Sequence, residues 1–257
     1  MTKPVALEIK SLTMQFGGLK AVDDVSVVIR EGEIASLIGP NGAGKTTIFN
    51  CVMGFYRPTG GTVSLPGGKR LDGLSPHQIA GLGVVRTFQN IRLFPAMTAL
   101  ENVMVGRHGL TRSGVLGAVL RGRSVVREER AIRDRARELL SSVGLSKYEE
   151  SLAKNLPYGE QRRLEIARAL AVDPKILCLD EPAAGMNPQE TQALVELIAR
   201  IREGGVTVFL IEHHMKLVMA ISDRIHVLDH GVKIAEGLPE EIRRNPAVIS
   251  AYLGEET

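Results

Sequence analysis

The sequence predicts an α/β fold built around a mainly parallel sheet, and three observations carry that prediction. Apolar strand-like runs alternate with helical ones along most of the 257 residues, the pattern of a parallel sheet with crossover helices. A glycine-rich turn, "GPNGAGKT", stands between an apolar run and a helical one. The run "ILCLDEP" reads as a buried strand that ends in two acids.

Taken in order, "VALEIKSLTMQF", "VDDVSVVI" and "EIASLIG" are strands, a helix starts near Lys45, and "GTVSL" is a further strand. Gly-rich turns ("REGE", "RPTGG", "LPGG") punctuate them. Residues 76–83 form a short helix before the strand-like "VVRTFQ". From about Leu100 to Val143 the pattern is helical, with a small-residue break at "RSGVLGAV". The helix in "LPYGEQRRLEIARAL" shows Leu164, Ile166, Ala167 and Leu170 as an apolar face. Strand "KILCLD", helix "PQETQALVELIARIREGG", strand "VTVFLIE", helix "HMKLVMAISD" and hairpin "RIHVLDHGVKIAEG" follow, then a final helix and the tail "VISAYLGEET". The organisation expected is one domain over 1–257, with a core of 1–91 and 156–257 and a helical insertion over 92–155.

Composition sets bounds. With 44% hydrophobic and 24% charged residues the chain is an ordinary globular protein long enough for a full core. A net charge of +3 gives no argument for nucleic acid. The charge is uneven, though: nine arginines face four acids between Val105 and Leu140. A solvated helix face with pairs such as Glu129–Arg133 accounts for them, and anionic lipid headgroups are the second reading. Cys51 and Cys178 lie in apolar contexts and read as buried thiols of a reducing compartment. The N-terminus lacks an apolar leader, and no apolar run reaches the ~18 residues of a membrane span. The expectation is a cytoplasmic protein whose membrane role is peripheral.

Residues Gly39–Thr46 fit G-x-x-x-x-G-K-[ST] in the required strand-to-helix context. Gly39, Gly42 and Gly44 allow the backbone, with Pro40, Asn41 and Ala43, to curl its N–H groups toward phosphate oxygens. The following helix adds its positive end. Lys45 reaches the terminal phosphates, Thr46 offers a hydroxyl to Mg²⁺, and Thr47 donates to a phosphate. Asp180 and Glu181 face opposite ways while strand geometry persists. Asp180 therefore suits the Mg²⁺ shell beside Thr46, and Glu181 suits the water that attacks the γ-phosphate. The stretch just before and at the start of the helix in "LPYGEQRRLEIARAL" offers a second anion grip, in the N–H groups around Gly159 and the polar side chains of Glu160 and Gln161.

Two phosphate grips in one chain, with a Gln and a His after separate strands, resemble the nucleotide-binding subunit of an ATP-binding cassette (ABC) transporter over essentially the whole length. The resemblance implies a P-loop NTPase (RecA-like) core with an N-terminal antiparallel β subdomain and a helical insertion. It also implies ATP and Mg²⁺ as ligands, and a head-to-tail dimer in which Gly159 and Glu160 cap the ATP held by the other subunit. Gln89 then binds Mg²⁺ or the attacking water, His213 touches the γ-phosphate, and Phe16 stacks on adenine. The family signature L-S-G-G-Q or L-S-G-G-E is here "LPYGE": Pro157 replaces the serine and Tyr158 the first glycine. Asn187 stands where the family carries an aspartate.

The stretches "YGEQRRLEIARAL", "PAAGMNP" and "LIEHHM", the long insertion and the terminal "AYLGEE" resemble the importers of branched-chain amino acids. In that group the chain would pair with a second ATPase subunit beneath two membrane-spanning permeases fed by an extracytoplasmic binding protein. It would sit peripherally on the cytoplasmic face of the inner membrane, with no nucleic-acid partner. Urea, amide or aromatic-acid uptake and lipopolysaccharide export stay open, as does a homodimer. So does a soluble cassette ATPase acting on DNA or ribosomes, or a P-loop kinase or GTPase.

Overall fold

The computed structural model describes residues 3–108 and 123–253. They cluster into two compact units, Met1–Arg86 with Lys175–Thr257, and Thr87–Pro174.

The first unit holds both sheets. Strands β1 (Val5–Phe16), β2 (Leu19–Arg30), β4 (Gly60–Leu65) and β5 (Lys69–Arg70) form an antiparallel sheet in the order β2-β1-β4-β5. This is the antiparallel subdomain that the resemblance implies. The second sheet runs β10-β9-β3-β8-β7-β6, built from β3 (Ile34–Ile38), β6 (Val84–Arg86), β7 (Ile176–Asp180), β8 (Thr207–Ile211), β9 (Arg224–Asp229) and β10 (Val232–Gly237). Its pairings are parallel except for the closing hairpin β9–β10. Every residue of β3, β7 and β8 is buried. That is why "IASLI", "ILCLD" and "TVFLI" are unbroken rather than alternating: parallel strands are covered on both faces.

Helices α1 (Lys45–Val52), α2 (Pro76–Gly81), α6 (Pro188–Glu203), α7 (Met215–Ile221), α8 (Pro239–Arg243) and α9 (Pro246–Leu253) belong to the same unit. Phe49 of α1 meets Phe209 of β8 with ring centroids 4.6 Å apart, at the centre of the core. Each such side chain contributes about 1.5–3 kcal/mol by leaving water. Cys51 and Cys178 are both buried and unbridged, and burial pushes their thiols up to about 11 and about 12. They are inert core residues.

The second unit packs α3 (Ala99–His108) against α4 (Arg123–Ser142) and α5 (Tyr158–Leu170). Asp173 ties it together, accepting from Arg107 at 2.6 Å and from Arg135 at 3.1 Å. Arg137 pairs with Glu149 at 2.6 Å and Arg133 with Glu129 at 3.6 Å. These arginines thus find local acids. The break at 112–119, with Arg112 and Arg121, lies outside the described residues.

Three expectations change. The core was expected to include 87–91 and 156–174, but these residues cluster with the helical unit. Within that unit the helix α5 packs on α3 and, less extensively, on α4. The strand expected over 84–89 stops at Arg86, where its pairing with β7 ends. Of the expected tail, residues 248–253 are helical and belong to α9.

Candidate functional site

Strand β3 delivers the chain into the glycine-rich loop, and α1 begins at Lys45. Two glycines there are obligatory. Gly39 has φ +147° and a Cβ would stand 2.1 Å from the Leu228 carbonyl oxygen; Gly44 has φ +99° and a Cβ 2.5 Å from that of Ala21. Gly42, at φ +78°, and Asn41 are exposed, whereas Ala43 is buried. Helix α1 has no side-chain cap and no acid in its first turn. Its first N–H groups and positive end are left for an anion.

The Lys45 side chain is buried and folds back over the loop. Its Nζ donates to the carbonyls of Gly39 at 2.6 Å and Pro40 at 2.7 Å. Thr46 is exposed and Thr47 half-buried. A cleft of about 730 Å³ opens beside Pro40–Ala43, walled on its far side by Asp229, His230 and Ser250, a volume in the range of small-molecule sites.

Asp180 closes β7 and is buried, paired with Arg86. The Asp180 carboxylate and the Thr46 hydroxyl both offer oxygen, the donor type that a hard divalent cation such as Mg²⁺ takes. Glu181 leaves the strand with φ +46°, a left-handed conformation uncommon for a residue with a side chain. Its N–H donates to the Ile211 carbonyl at 2.9 Å, which pins the turn. His213 follows β8, and its Nδ1 stands 3.8 Å from Glu181 Oε2. The structure thus brings together a carboxylate and an imidazole from two adjacent strand ends.

A fully buried acid, Glu212, holds that arrangement. One oxygen accepts from the Ala183 N–H at 2.9 Å; the other accepts from the N–H groups of His213 at 3.1 Å and His214 at 3.2 Å. Asn187 caps α6, accepting from the N–H groups of Gln189 and Glu190. Its amide is committed to that helix rather than held out from the loop. Phe16 ends β1 partly exposed, with the ring of Tyr56 edge-on to it at 5.2 Å.

Gln89, Gly159 and Glu160 stand in the second unit. Gln89 is exposed, Gly159 buried and Glu160 half-buried at the first turn of α5. Pro157 occupies the N-cap position and gives no side-chain cap. The loop carrying Gln89 is tied to α5 by an ion pair hidden from solvent. Arg162 donates to the carbonyls of Phe88 at 2.6 Å and Gln89 at 2.7 Å, and to Glu165 at 2.9 Å. Glu165 in turn accepts from the Arg92 N–H at 3.2 Å.

Reading the sequence missed Arg86, Arg162, Glu165 and Glu212. Glu165 and Glu212 stand between or beside apolar residues, and a charge in that setting was the available signal, whereas Arg162, in the polar run "GEQRR", and Arg86 carry no local mark of their partners.

Comparison with known proteins gives the family. A family model described as ABC transporter matches residues 22–184, and one described as branched-chain amino acid ATP-binding cassette transporter matches 232–257. The chain is 54% identical over 256 residues to the high-affinity branched-chain amino acid transport ATP-binding protein LivG of Salmonella typhimurium, covering 99% of this chain and 100% of that one. It is 52% identical to BraF of Pseudomonas aeruginosa, with the same coverage. Among solved structures, the ADP conformation of MJ1267, an ATP-binding cassette of an ABC transporter, superposes with a TM-score of 0.85. That match has 30% identity and covers 97% of this chain and 99% of that one. A dimeric post-hydrolysis state of the cassette MJ0796 bound to ADP and Pi gives a TM-score of 0.75 at 27% identity, over 91% and 98% of the two chains. With the phosphate loop, the paired strand-end residues and a near-full-length match all in place, the chain belongs to the ABC transporter family, as one of its ATP-binding subunits.

Proposed function

We infer that this chain is the ATP-hydrolysing subunit of an importer of branched-chain amino acids. The observation that carries the cargo is the identity of more than half over nearly the whole chain to subunits named for that transport. The match of the C-terminal hairpin and helices to the branched-chain model supports it.

ATP lies with its phosphates on the loop of Gly39, Pro40, Asn41, Gly42, Ala43 and Gly44 and on the N-terminus of α1, and its adenine against Phe16. Lys45 exchanges the carbonyls of Gly39 and Pro40 for the terminal phosphates, and Thr47 donates to a phosphate. Asp180, Thr46 and Gln89 would hold Mg²⁺, which would supply neutralisation of phosphate charge. Glu181 orients the attacking water and His213 donates toward the γ-phosphate. Gly159 and Glu160, at the start of α5, cap the ATP of a second ATP-binding subunit. ATP therefore favours a closed pair, to the extent that it binds closed better than open. Two membrane-spanning proteins receive that closure, and an extracytoplasmic binding protein delivers the amino acid. The subunit itself sits peripherally on the cytoplasmic face; among its described residues no helix is long and apolar enough to cross a membrane.

The test is to recover the tagged chain from native membranes and to measure leucine uptake in cells lacking it. Copurification of a second cassette ATPase with two multi-span proteins, and lost leucine uptake, are expected. Recovery of copies of this chain alone with one membrane pair, and normal leucine uptake, would turn the assignment toward a homodimeric system with another cargo.

A further inference from the structure

Arg86 has no place in the mechanism above, yet it is built into the site. Its side chain is 5% exposed, as is that of Asp180, with which it pairs. Its Nη1 donates to Asn50 Oδ1 at 2.7 Å, and the guanidinium lies over the Phe49 ring at 5.4 Å from the centroid. Asn50 and Phe49 are on α1, the helix that begins at Lys45. One cation therefore bridges the end of β7 to the helix behind the phosphate loop.

The physics of that position is specific. A carboxylate taken out of water needs a cation or a donor within reach. Nucleotide phosphates binding nearby would face an uncompensated negative charge if Asp180 stood alone. We propose that Arg86 is a positioning residue that neutralises and orients Asp180 whenever Mg²⁺ is not there, so that nucleotide can bind or leave without its metal. The proposal rests on the reading of Asp180 as a metal ligand. Arginine suits the task because its planar fork serves Asp180 and Asn50 at once, where lysine offers one point charge.

The experiment is ADP binding by titration calorimetry on the whole chain, in Mg²⁺ and in EDTA. Wild type is compared with Arg86→Met, Arg86→Lys, Asp180→Asn and the double variant Arg86→Met/Asp180→Asn. Arg86→Met should weaken binding in EDTA by about tenfold or more, from one unscreened charge near the phosphates. In Mg²⁺ its change should stay within about threefold, since the metal then supplies the compensation. Arg86→Lys should recover most of the EDTA affinity. Asp180→Asn should tighten EDTA binding, because the negative charge is then gone while that of Arg86 stays, and the double variant should return it to near the wild-type value. That last comparison carries the test if Arg86→Met alone does not fold, since the double variant removes both buried charges together. Equal weakening in both buffers would make Arg86 a scaffold residue only and overturn the proposal, as would no change in either. If Asp180→Asn keeps the wild-type ratio between Mg²⁺ and EDTA, the metal-ligand reading fails, and the EDTA arm still decides on Arg86.

Discussion

Glu181 sits at a left-handed φ of +46°, and that single angle separates its task from that of Asp180 next door. Continued strand geometry would throw the two carboxylates to opposite faces; the turn instead leaves Glu181 3.8 Å from His213. Holding a non-glycine residue there costs about 1–3 kcal/mol, which the surrounding hydrogen bonds must offset. The Ile211 carbonyl and the three N–H groups gathered by Glu212 do so. Glu181→Gln should therefore bind ATP within a few-fold of wild type and lower kcat by about 100-fold or more. It should also accumulate an ATP-dependent dimer on size-exclusion chromatography. Turnover near the wild-type rate would overturn the role proposed for Glu181 in orienting the attacking water. At this scale the sequence was generous where chemistry is written locally: the loop 39–46 and the pair 180–181 are contiguous motifs. It was silent on Arg86, whose partner Asp180 is 94 positions away, because nothing in the neighbourhood of an arginine says what it will meet.

Among elements, α5 shows the same division. Its helical period is plain in "YGEQRRLEIARAL", but not that Arg162 and Glu165 would both turn inward. Three residues apart on one helix, they pair with each other and clasp the Phe88–Arg92 loop from below. Truncating one partner strands the other in the interior. Arg162→Met should cost about 3–5 kcal/mol in urea unfolding. The double variant Arg162→Met/Glu165→Leu should regain much of that while leaving the loop untied. Hydrogen exchange at the amides of Phe88 and Arg92 distinguishes the two effects, with protection expected to stay low in the double variant. Protection at the wild-type level there would show that the loop is held by other contacts. The change in the allegiance of α5 has the same root. Which neighbour covers an apolar face is a tertiary fact, and periodicity reports only that a face exists.

Across the whole molecule, acid sensitivity follows from where the carboxylates lie. Burial alone would raise Asp72 and Asp173, yet hydrogen bonds from Arg70 in the first case, and from Arg107 and Arg135 in the second, bring both below the usual range. Glu236 is held far below it by His226 at 3.4 Å and Lys233 at 2.7 Å, against some opposing burial. A depressed native pKa means that the unfolded chain takes up protons first. The stabilisation from these groups is thus complete above the unfolded value near pH ~4 and is lost as pH falls through the native ones. Glu33 has the opposite sign. Burial raises it, so its favourable share exists below pH ~4.3 and fades as pH rises through its native value. With three groups against one, the urea midpoint should hold nearly level from pH ~7 to ~5.5 and fall steeply below pH ~4. A level midpoint down to pH ~3 would mean that these pairs are not held in solution.

The chain leaves the first unit after Arg86 and re-enters at Lys175, at the ends of two strands that lie side by side in parallel register. All 88 residues of Thr87–Pro174 are therefore spliced into a single crossover connection. Lengthening such a connection is thermodynamically cheap, about 0.6 kcal/mol for each doubling of a flexible one. The paired strands β6 and β7 and the loop 39–46 all lie in the first unit, the loop and β6 before that connection in sequence and β7 after it. Such an arrangement lets the insertion change in length between fixed points of attachment, provided that the residues proposed to act from it, Gln89, Gly159 and Glu160, are kept.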